Sequence, residues 1–499
     1  MMDTLAYLVQ GFGVALLPMN LLMAAAGALI GTIVGMLPGL GPINGVALLM
    51  PLAFALKLPA ETALILLTAV YIGCEFGGRI SSILLNVPGD AGAIMTAIDG
   101  NPMARKGQGG VALSISAWAS FVGSTVATVG IVLFAPLLAR WALAFGPAEY
   151  FALMCFAFAC ITGLMGDQPI KAMLAAIIGL SLSTVGLDSN SGVYRFTGDN
   201  VHLSDGIQFI VLVIGLFSVS EILLMLEHQA DTSGLIRTVG RTLFNTKELM
   251  QTGWTIVRSS LLGFVVGVLP GAGATIASAM AYSVEKRLND KEGTFGKGDI
   301  RGVTAPEAAN NASANGSFIP MLTLGVPGSG TTAVMVGALS LYNITPGPAL
   351  FTQQPALVWG LIASMFVANF LLLIINIPLV GVFTRLLLVP NWLLVPGILA
   401  ISAVGVYSVH ATTFDLMLMG GFGLVGYLLR KGGVPMAPLI LGFVLGDMME
   451  QSLRRALSIT NGELDILWKS PISLCLWVGV VAMLVVPPLY CRWARRAAG

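Results

Sequence analysis

Four short segments set proline and glycine inside apolar surroundings: Pro38-Gly39-Leu40-Gly41, Val87-Pro88-Gly89-Asp90, Pro270-Gly271-Ala272-Gly273 and Val326-Pro327-Gly328-Ser329. Each interrupts helical hydrogen bonding, and bare backbone polar groups in lipid cost several kcal/mol apiece. Such breaks survive where they face protein or a wet cavity. There, free N–H groups and the positive end of a helix dipole attract a carboxylate, while free carbonyls suit a small cation. The chemistry is therefore binding of an anion together with Na+ or H+, without a covalent step. Simple helix kinks are the alternative reading of the same residues.

Polar side chains gather at the breaks. Asn44 follows the first, Asn86 and Asp90 flank the second, Thr275 follows the third, and Ser329 and Thr331 belong to the fourth. The richest polar stretch, residues 306–316, carries Asn310, Asn311 and Asn315 and is too polar to face lipid. Two readings stay open for it: ligands lining a cavity, or amide glue between helices. Glu75 and Arg79 are four apart, on one helical face. Either they neutralise each other, or the intramembrane arginine meets a carboxylate substrate. Asp167 with Lys171, and Asp447 with Glu450, lie at helix ends and read as solvated boundaries.

Several chemistries are excluded. No GxxxxGK[ST] segment occurs, so the chain does not hydrolyse ATP through a phosphate-binding loop. His202, His228 and His410 are scattered, and the five cysteines form no CxxC pair, so no cofactor and no metal site beyond Na+ is expected. A membrane-embedded enzyme on lipid-linked substrates would need an acidic, His or Cys cluster that is missing. A passive anion channel is the other alternative. With 25 basic and 24 acidic residues, and no large basic cluster, nucleic acid is not a partner.

The elements that must hold these residues are membrane helices. Of 499 residues, 56% are hydrophobic and 10% charged, whereas a soluble protein carries charge on about a quarter of its positions. Runs such as 206–226 and 412–429 reach roughly the 17 to 25 residues that cross hydrocarbon. The expected fold is all-α and polytopic, with about 10–12 transmembrane helices. No basic n-region precedes the first helix, so no cleaved signal is expected.

The chain repeats itself. Residues 29–41 (LIGTIVGMLPGLG) match residues 261–273 (LLGFVVGVLPGAG) at eight of thirteen positions, an offset of 232. Leu85-Asn86-Val87-Pro88-Gly89 matches Leu324-Gly325-Val326-Pro327-Gly328 at an offset of 239. We expect one repeat over residues 1–226, a cytoplasmic linker over 227–258, a second repeat over 259–469, and an added helix with a basic tail over 470–499. Basic loops mark the cytoplasmic side. Lys286, Arg287, Lys291, Lys297 and Arg301 have only Lys57 as counterpart, while Arg105 and Lys106 face a loop without basic residues. Asp188, Asp199 and Asp205 oppose Arg430 and Lys431. Each pair puts the two copies on opposite sides, so the repeats are inverted, with a periplasmic N-terminus and a cytoplasmic C-terminus. Only about 27 residues separate the linker from the loop at Lys286, too few for two crossings at about 1.5 Å per residue. A re-entrant hairpin turning at 269–273 satisfies that count, and the roughly 38 residues between Leu58 and Ile98, which must change sides once, fit one crossing plus a hairpin turning at 86–90.

These motifs resemble the large membrane subunit, TctA, of the tripartite tricarboxylate transporters. The resemblance covers nearly the whole chain and is carried by GMLPGLGP (35–42), SILLNVPGDAGAIMTAIDGNPMARKG (82–107), LPGAGATIAS (269–278) and APEAANNASANGSFIPMLTLGVPGSGTTAV (305–334). It implies ion-gradient-driven uptake of an organic di- or tricarboxylate at the bacterial inner membrane. A small TctB-like membrane subunit and a TctC-like periplasmic binding protein would be the partners. Carried onto this chain, it implies that Gly39, Gly41, Asn86, Pro88, Gly89, Asp90, Gly271, Gly273, Asn310, Asn311, Pro327, Gly328 and Ser329 form the substrate and cation site. Substrate identity, coupling ion and any homo-oligomer stay open.

Overall fold

The computed structural model describes residues 2–164, 168–188, 190–227, 236, 240–387 and 389–497. Residues 228–235 and 237–239 of the proposed linker, His228 among them, and Asp167 lie outside these residues, as do the side chains of the basic tail, and the linker's last part, from Thr246, is already helical. The described residues are helical nearly throughout. The first part of the chain forms α1 (Met2–Ala15), α2 (Pro18–Met36), α3 (Gly41–Ala55), α4 (Ala60–Leu85) and α5 (Ile94–Met103). It continues through α6 (Gly109–Ala142), α7 (Pro147–Leu164) and α8 (Pro169–Ser183) to α9 (Phe209–Val213) and α10 (Ser220–Glu227), the last two joined by a π-helical turn.

The same order then recurs. It runs through α11 (Thr246–Val268), α12 (Gly273–Asn289), α13 (Ile300–Gly316), α14 (Phe318–Leu324), α15 (Gly330–Leu341), α16 (Leu350–Gln353) and α17 (Pro355–Asn376). After α18 (Val380–Leu386) come α19 (Asn391–His410), α20 (Thr413–Lys431), α21 (Met436–Ile459), the short α22 (Ile466–Lys469) and α23 (Pro471–Ala497). Among the described residues, six helical stretches are long and apolar enough to cross a membrane, and six shorter apolar helices accompany them. The chain is an all-α, multi-pass membrane protein.

The expected breaks are where the sequence puts them. Met36 ends α2 and Val268 ends α11, and each is followed by two glycines in the left-handed region: Gly39 and Gly41 at φ +88° and +62°, Gly271 and Gly273 at +78° and +66°. A side chain is strained in this conformation, so the PGxG spacing follows from the turn. At the other two breaks, Asn86 closes α4 at φ +58° and Gly325 closes α14 at φ +71°, both as left-handed C-caps.

Packing directions come from small residues. Gly27, Gly31 and Gly35 of α2 lie successively against Val70, Gly73 and Cys74 of α4, so these helices run parallel with backbones touching. Gly263 and Gly267 of α11 lie likewise against Ala309 and Ser313 of α13. Between these pairs the direction reverses. Tyr71 meets Ser317 and Glu75 meets Asn310, so α4 and α13 are antiparallel. The parts also exchange partners: α8 packs on α21 and α9–α10 on α20, while α4 packs on α17 and α13 on α6. Helix α4, buried along its length, is the axis of the molecule.

The turns sit inside, not at the ends. The end of α2 lies beside Gly77, eight residues before α4 finishes at Leu85, or about 12 Å along the helix. Beyond Leu85 the chain comes back, and the Gly89 N–H donates to the Gly78 carbonyl at 3.4 Å. In the second half, the Gly271 N–H donates to the Gly328 carbonyl at 2.9 Å. The second half thus joins its two breaks by a hydrogen bond, and in the first half Gly41 lies against Asp90.

Two ends are distinct. At one, Lys106 Nζ donates to the Lys297 carbonyl at 2.6 Å, and Asp99 accepts from the backbone N–H groups of Gly296, Gly298 and Asp299 at 2.8 Å each. At the other, a hairpin pairs Gly186–Leu187 with Tyr194–Arg195. There Arg195 grips Glu450 at 2.8 and 3.3 Å, and Arg454 bridges Glu450 and Asp188. Asp447 and Glu450 therefore do not lie at a helix end as expected: α21 continues to Ile459, and Glu450 belongs to an ion-pair network on its side.

Candidate substrate cavity

A cavity of about 980 Å³ opens between the breaks, within the size range of small-molecule sites. Gly39, Gly41 and Asn44 line it from the first break, Pro88, Gly89 and Asp90 from the second, Gly271, Gly273 and Thr275 from the third, and Ser329 and Thr331 from the fourth. Segments almost 300 residues apart therefore share one wall, as the symmetric breaks led us to expect. Glu75, from the middle of α4, joins them.

Local sequence explains how the wall is presented. Four helices begin at it: α3 at Gly41, α5 at Ile94, α12 at Gly273 and α15 at Gly330. Proline and glycine stand just before the starts of α3, α12 and α15, and Gly92 just before α5, and the first-turn N–H groups of each helix have no helical partners. Two of the breaks make equivalent side-chain hydrogen bonds, one as the N-cap of α15 and one in the turn that precedes α5. Asp90 Oδ1 accepts from the Ala93 N–H at 2.9 Å, and Ser329 Oγ accepts from the Thr332 N–H at 3.2 Å, positions related by the offset of 239. Asn44 donates to the Leu40 carbonyl, and its buried Oδ1 has no protein partner.

The remaining predicted residues lie behind the wall. Asn310 Nδ2 donates to Glu75 Oε2 at 2.9 Å, and its Oδ1, unpartnered, packs against Gly92. Asn311 donates to the Glu307 carbonyl at 3.1 Å, and Asn315 to Ser124 and Thr128 on α6. Pro327 and Gly328 are buried beneath the fourth break, Gly328 against Ser317. Asn86 is an exposed cap away from the cavity.

Glu75 and Arg79 share no ion pair. Glu75 turns to Asn310 and the cavity, whereas Arg79, 1% exposed, donates to Asn376 Oδ1 at 3.1 Å and to the Phe76 carbonyl at 3.1 Å. Its guanidinium lies 5.4 Å from the Phe76 ring centroid. Arg79 does not reach the cavity wall. Glu307, on α13, is held by the hydroxyls of Thr96 at 2.6 Å and Ser120 at 3.0 Å.

Sequence reasoning missed three polar side chains of the wall. Tyr71 hydrogen-bonds Ser329 at 3.3 Å and Ser317 at 3.4 Å. It occupies the position of Asn310 under the offset of 239, a signal that was available. Gln168 had no signal. Arg430 was read only as a marker of loop charge, but it lines the cavity, pairs with Glu221 and lies over Phe217.

Comparison with known proteins agrees with this architecture. The model of the tripartite tricarboxylate transporter TctA family matches residues 21–441. An uncharacterized 52.8 kDa protein of the TAR-I ttuC' 3' region of Agrobacterium vitis is 41% identical over 486 residues, covering 97% of this chain and 96% of the relative. A second uncharacterized protein, from the TAR-II ttuC' 3' region of the same organism, is 46% identical over 224 residues, covering 45% of this chain and 93% of the relative. No solved structure matches. With a multi-pass helical fold and a family match over most of its length, the chain belongs to the tripartite tricarboxylate transporter TctA family.

Proposed function

We propose that this chain is the translocating subunit of an importer driven by an ion gradient. It carries a di- or tricarboxylate delivered by a TctC-like periplasmic binding protein, beside a small TctB-like subunit in the bacterial inner membrane. The observation that carries this reading is the start of four helices at one cavity. Each helix N-terminus contributes about half a positive elementary charge, and its free N–H groups suit carboxylate oxygens. Facing them in the same wall are Glu75 and Asp90. An ionised carboxylate at this place repels an incoming substrate carboxylate, and a coupling cation, Na+ or H+, bound to it offsets that repulsion. Anion uptake then depends on the cation.

In this reading residues 1–226 and 259–469 are inverted repeats, joined by a cytoplasmic linker over 227–258 and extended by the segment over 470–499. The opposite directions of α4 and α13 and the equivalent hydrogen bonds made by Asp90 and Ser329 support the division. The end at which Lys106 meets Lys297 is basic and therefore cytoplasmic, and the hairpin with Asp188 is periplasmic. Arg430, which lies in the cavity wall, ends its helix beside Lys431 on the basic side, so the cavity faces inward.

The test is uptake in proteoliposomes containing this subunit and its two partners, with Na+ and proton gradients imposed separately. Uptake of a labelled di- or tricarboxylate should require one of the gradients and the binding protein, and Glu75→Gln or Asn310→Leu should abolish it. Flux that persists without gradient or binding protein would identify a passive channel and overturn the reading.

A further inference from the structure

Among the described residues of the cavity wall, the charged groups are Glu75, Asp90 and Arg430. Arg430 is thus the wall's one cation. It comes from the last turn of α20, and its NH1 donates to Glu221 of α10. Its guanidinium lies 5.6 Å from the Phe217 ring centroid. The same Glu221 touches the first break: its Oε1 occupies the space where a side chain on Gly39 would begin. Glu221 itself is 6% exposed and is not in the wall. A guanidinium has five N–H donors in a planar fork, and the bond to Glu221 uses one nitrogen.

We infer that Arg430 is the anchor for one carboxylate of the substrate, held in place by Glu221 and Phe217. This rests on the carboxylate-transport reading above and adds a residue and a selectivity to it. Helix N-termini bind any single carboxylate, and a fork of donors at a second point rewards a ligand that has another carboxylate to offer. Substrates with two or three carboxylates then bind at both points, and monocarboxylates at one. Glu221 keeps the fork oriented in the absence of substrate and compensates a charge that α20 otherwise leaves beside apolar chain. Because Glu221 also touches Gly39, the anchor is tied to the turn that opens α3.

The experiment measures concentration-dependent uptake of a tricarboxylate and a monocarboxylate by wild type, Arg430→Gln, Arg430→Lys and the exchanged pair Arg430→Glu with Glu221→Arg. Wild-type uptake tests the transport reading by itself, and its absence would sink both. Given wild-type uptake, Arg430→Gln should raise KM for the tricarboxylate by about tenfold or more with a smaller effect on a monocarboxylate. Arg430→Lys keeps the charge but loses the fork, so its KM should also rise, and it decides the matter if the glutamine variant fails to assemble. The exchanged pair should restore a monodisperse protein in detergent without restoring KM. A wild-type KM in both Arg430 variants, or full recovery of uptake in the exchanged pair, would reduce Arg430 to a structural ion pair and overturn the inference.

Discussion

Asn86 shows how a residue type alone misleads. Polar, beside a proline and inside a matching motif, it reads as a ligand, yet it takes the left-handed position closing α4, where Gly325 stands in the second half. Asparagine and glycine are the residues that tolerate this conformation. Asn86→Gly should therefore leave uptake unchanged, while Asn86→Val should cost about 1–2 kcal/mol of stability, read as a lowered unfolding temperature in detergent. Loss of uptake by a stable Asn86→Gly protein would restore the ligand reading. The opposite error concerns Arg430, whose neighbour Lys431 made it look like loop charge; only the fold brings the end of α20 to the first break. Asp188 offers a pH test outside the membrane. The Asn190 N–H and Ser191 hydroxyl, with Arg454, pull its carboxyl down to about 2. A depressed value stabilises the hairpin at pH above the ordinary carboxylate range, and this contribution is lost as pH falls from about 4 toward 2. Hydrogen exchange over 186–195 should quicken across that window, and Asp188→Asn should remove the pH dependence.

At the scale of elements, the breaks were legible because proline and glycine act locally, through backbone geometry that needs no partner. The depth of the turns was legible only through counting, since a chain too short for two crossings must turn inside. What the sequence could not carry is which face of α2 meets α4. That depends on Gly27, Gly31 and Gly35 falling in one row, and the row has meaning only once α4 is beside it. Gly35 lies so close to Cys74 that any side chain would meet backbone atoms, and Gly267 stands in the same relation to Ser313. Gly35→Leu and Gly267→Leu should each push a hairpin off its supporting helix, at a cost at or above the roughly 1–3 kcal/mol of an overpacked core. Both should lower the unfolding temperature and abolish uptake. Normal stability in either would mean that the helices are not in backbone contact.

For the whole molecule, the sequence offers an internal repeat but not the interlocking of the two parts of the chain. A repeat detected by offset says that two segments are alike, not that α8 seeks α21 and α20 seeks α9–α10. Nor does it say that Asn310 of one half supports Glu75 of the other. The proposed opposed orientation accounts for those contacts: with halves that run in opposite directions, equivalent breaks enter from opposite faces and meet midway. Sidedness is therefore the property on which the cavity depends. It can be read with single cysteines in a cysteine-free background, labelled in intact cells by a maleimide that does not cross the membrane holding the protein. Val201→Cys, 81% exposed near the Asp188 hairpin, should react from outside, and Lys291→Cys, in the exposed loop after α12, only after the membrane is opened. Labelling of both from the same side would require the halves to be parallel. The third and fourth breaks would then enter from the same face as the first and second, and no shared cavity at the midplane could form.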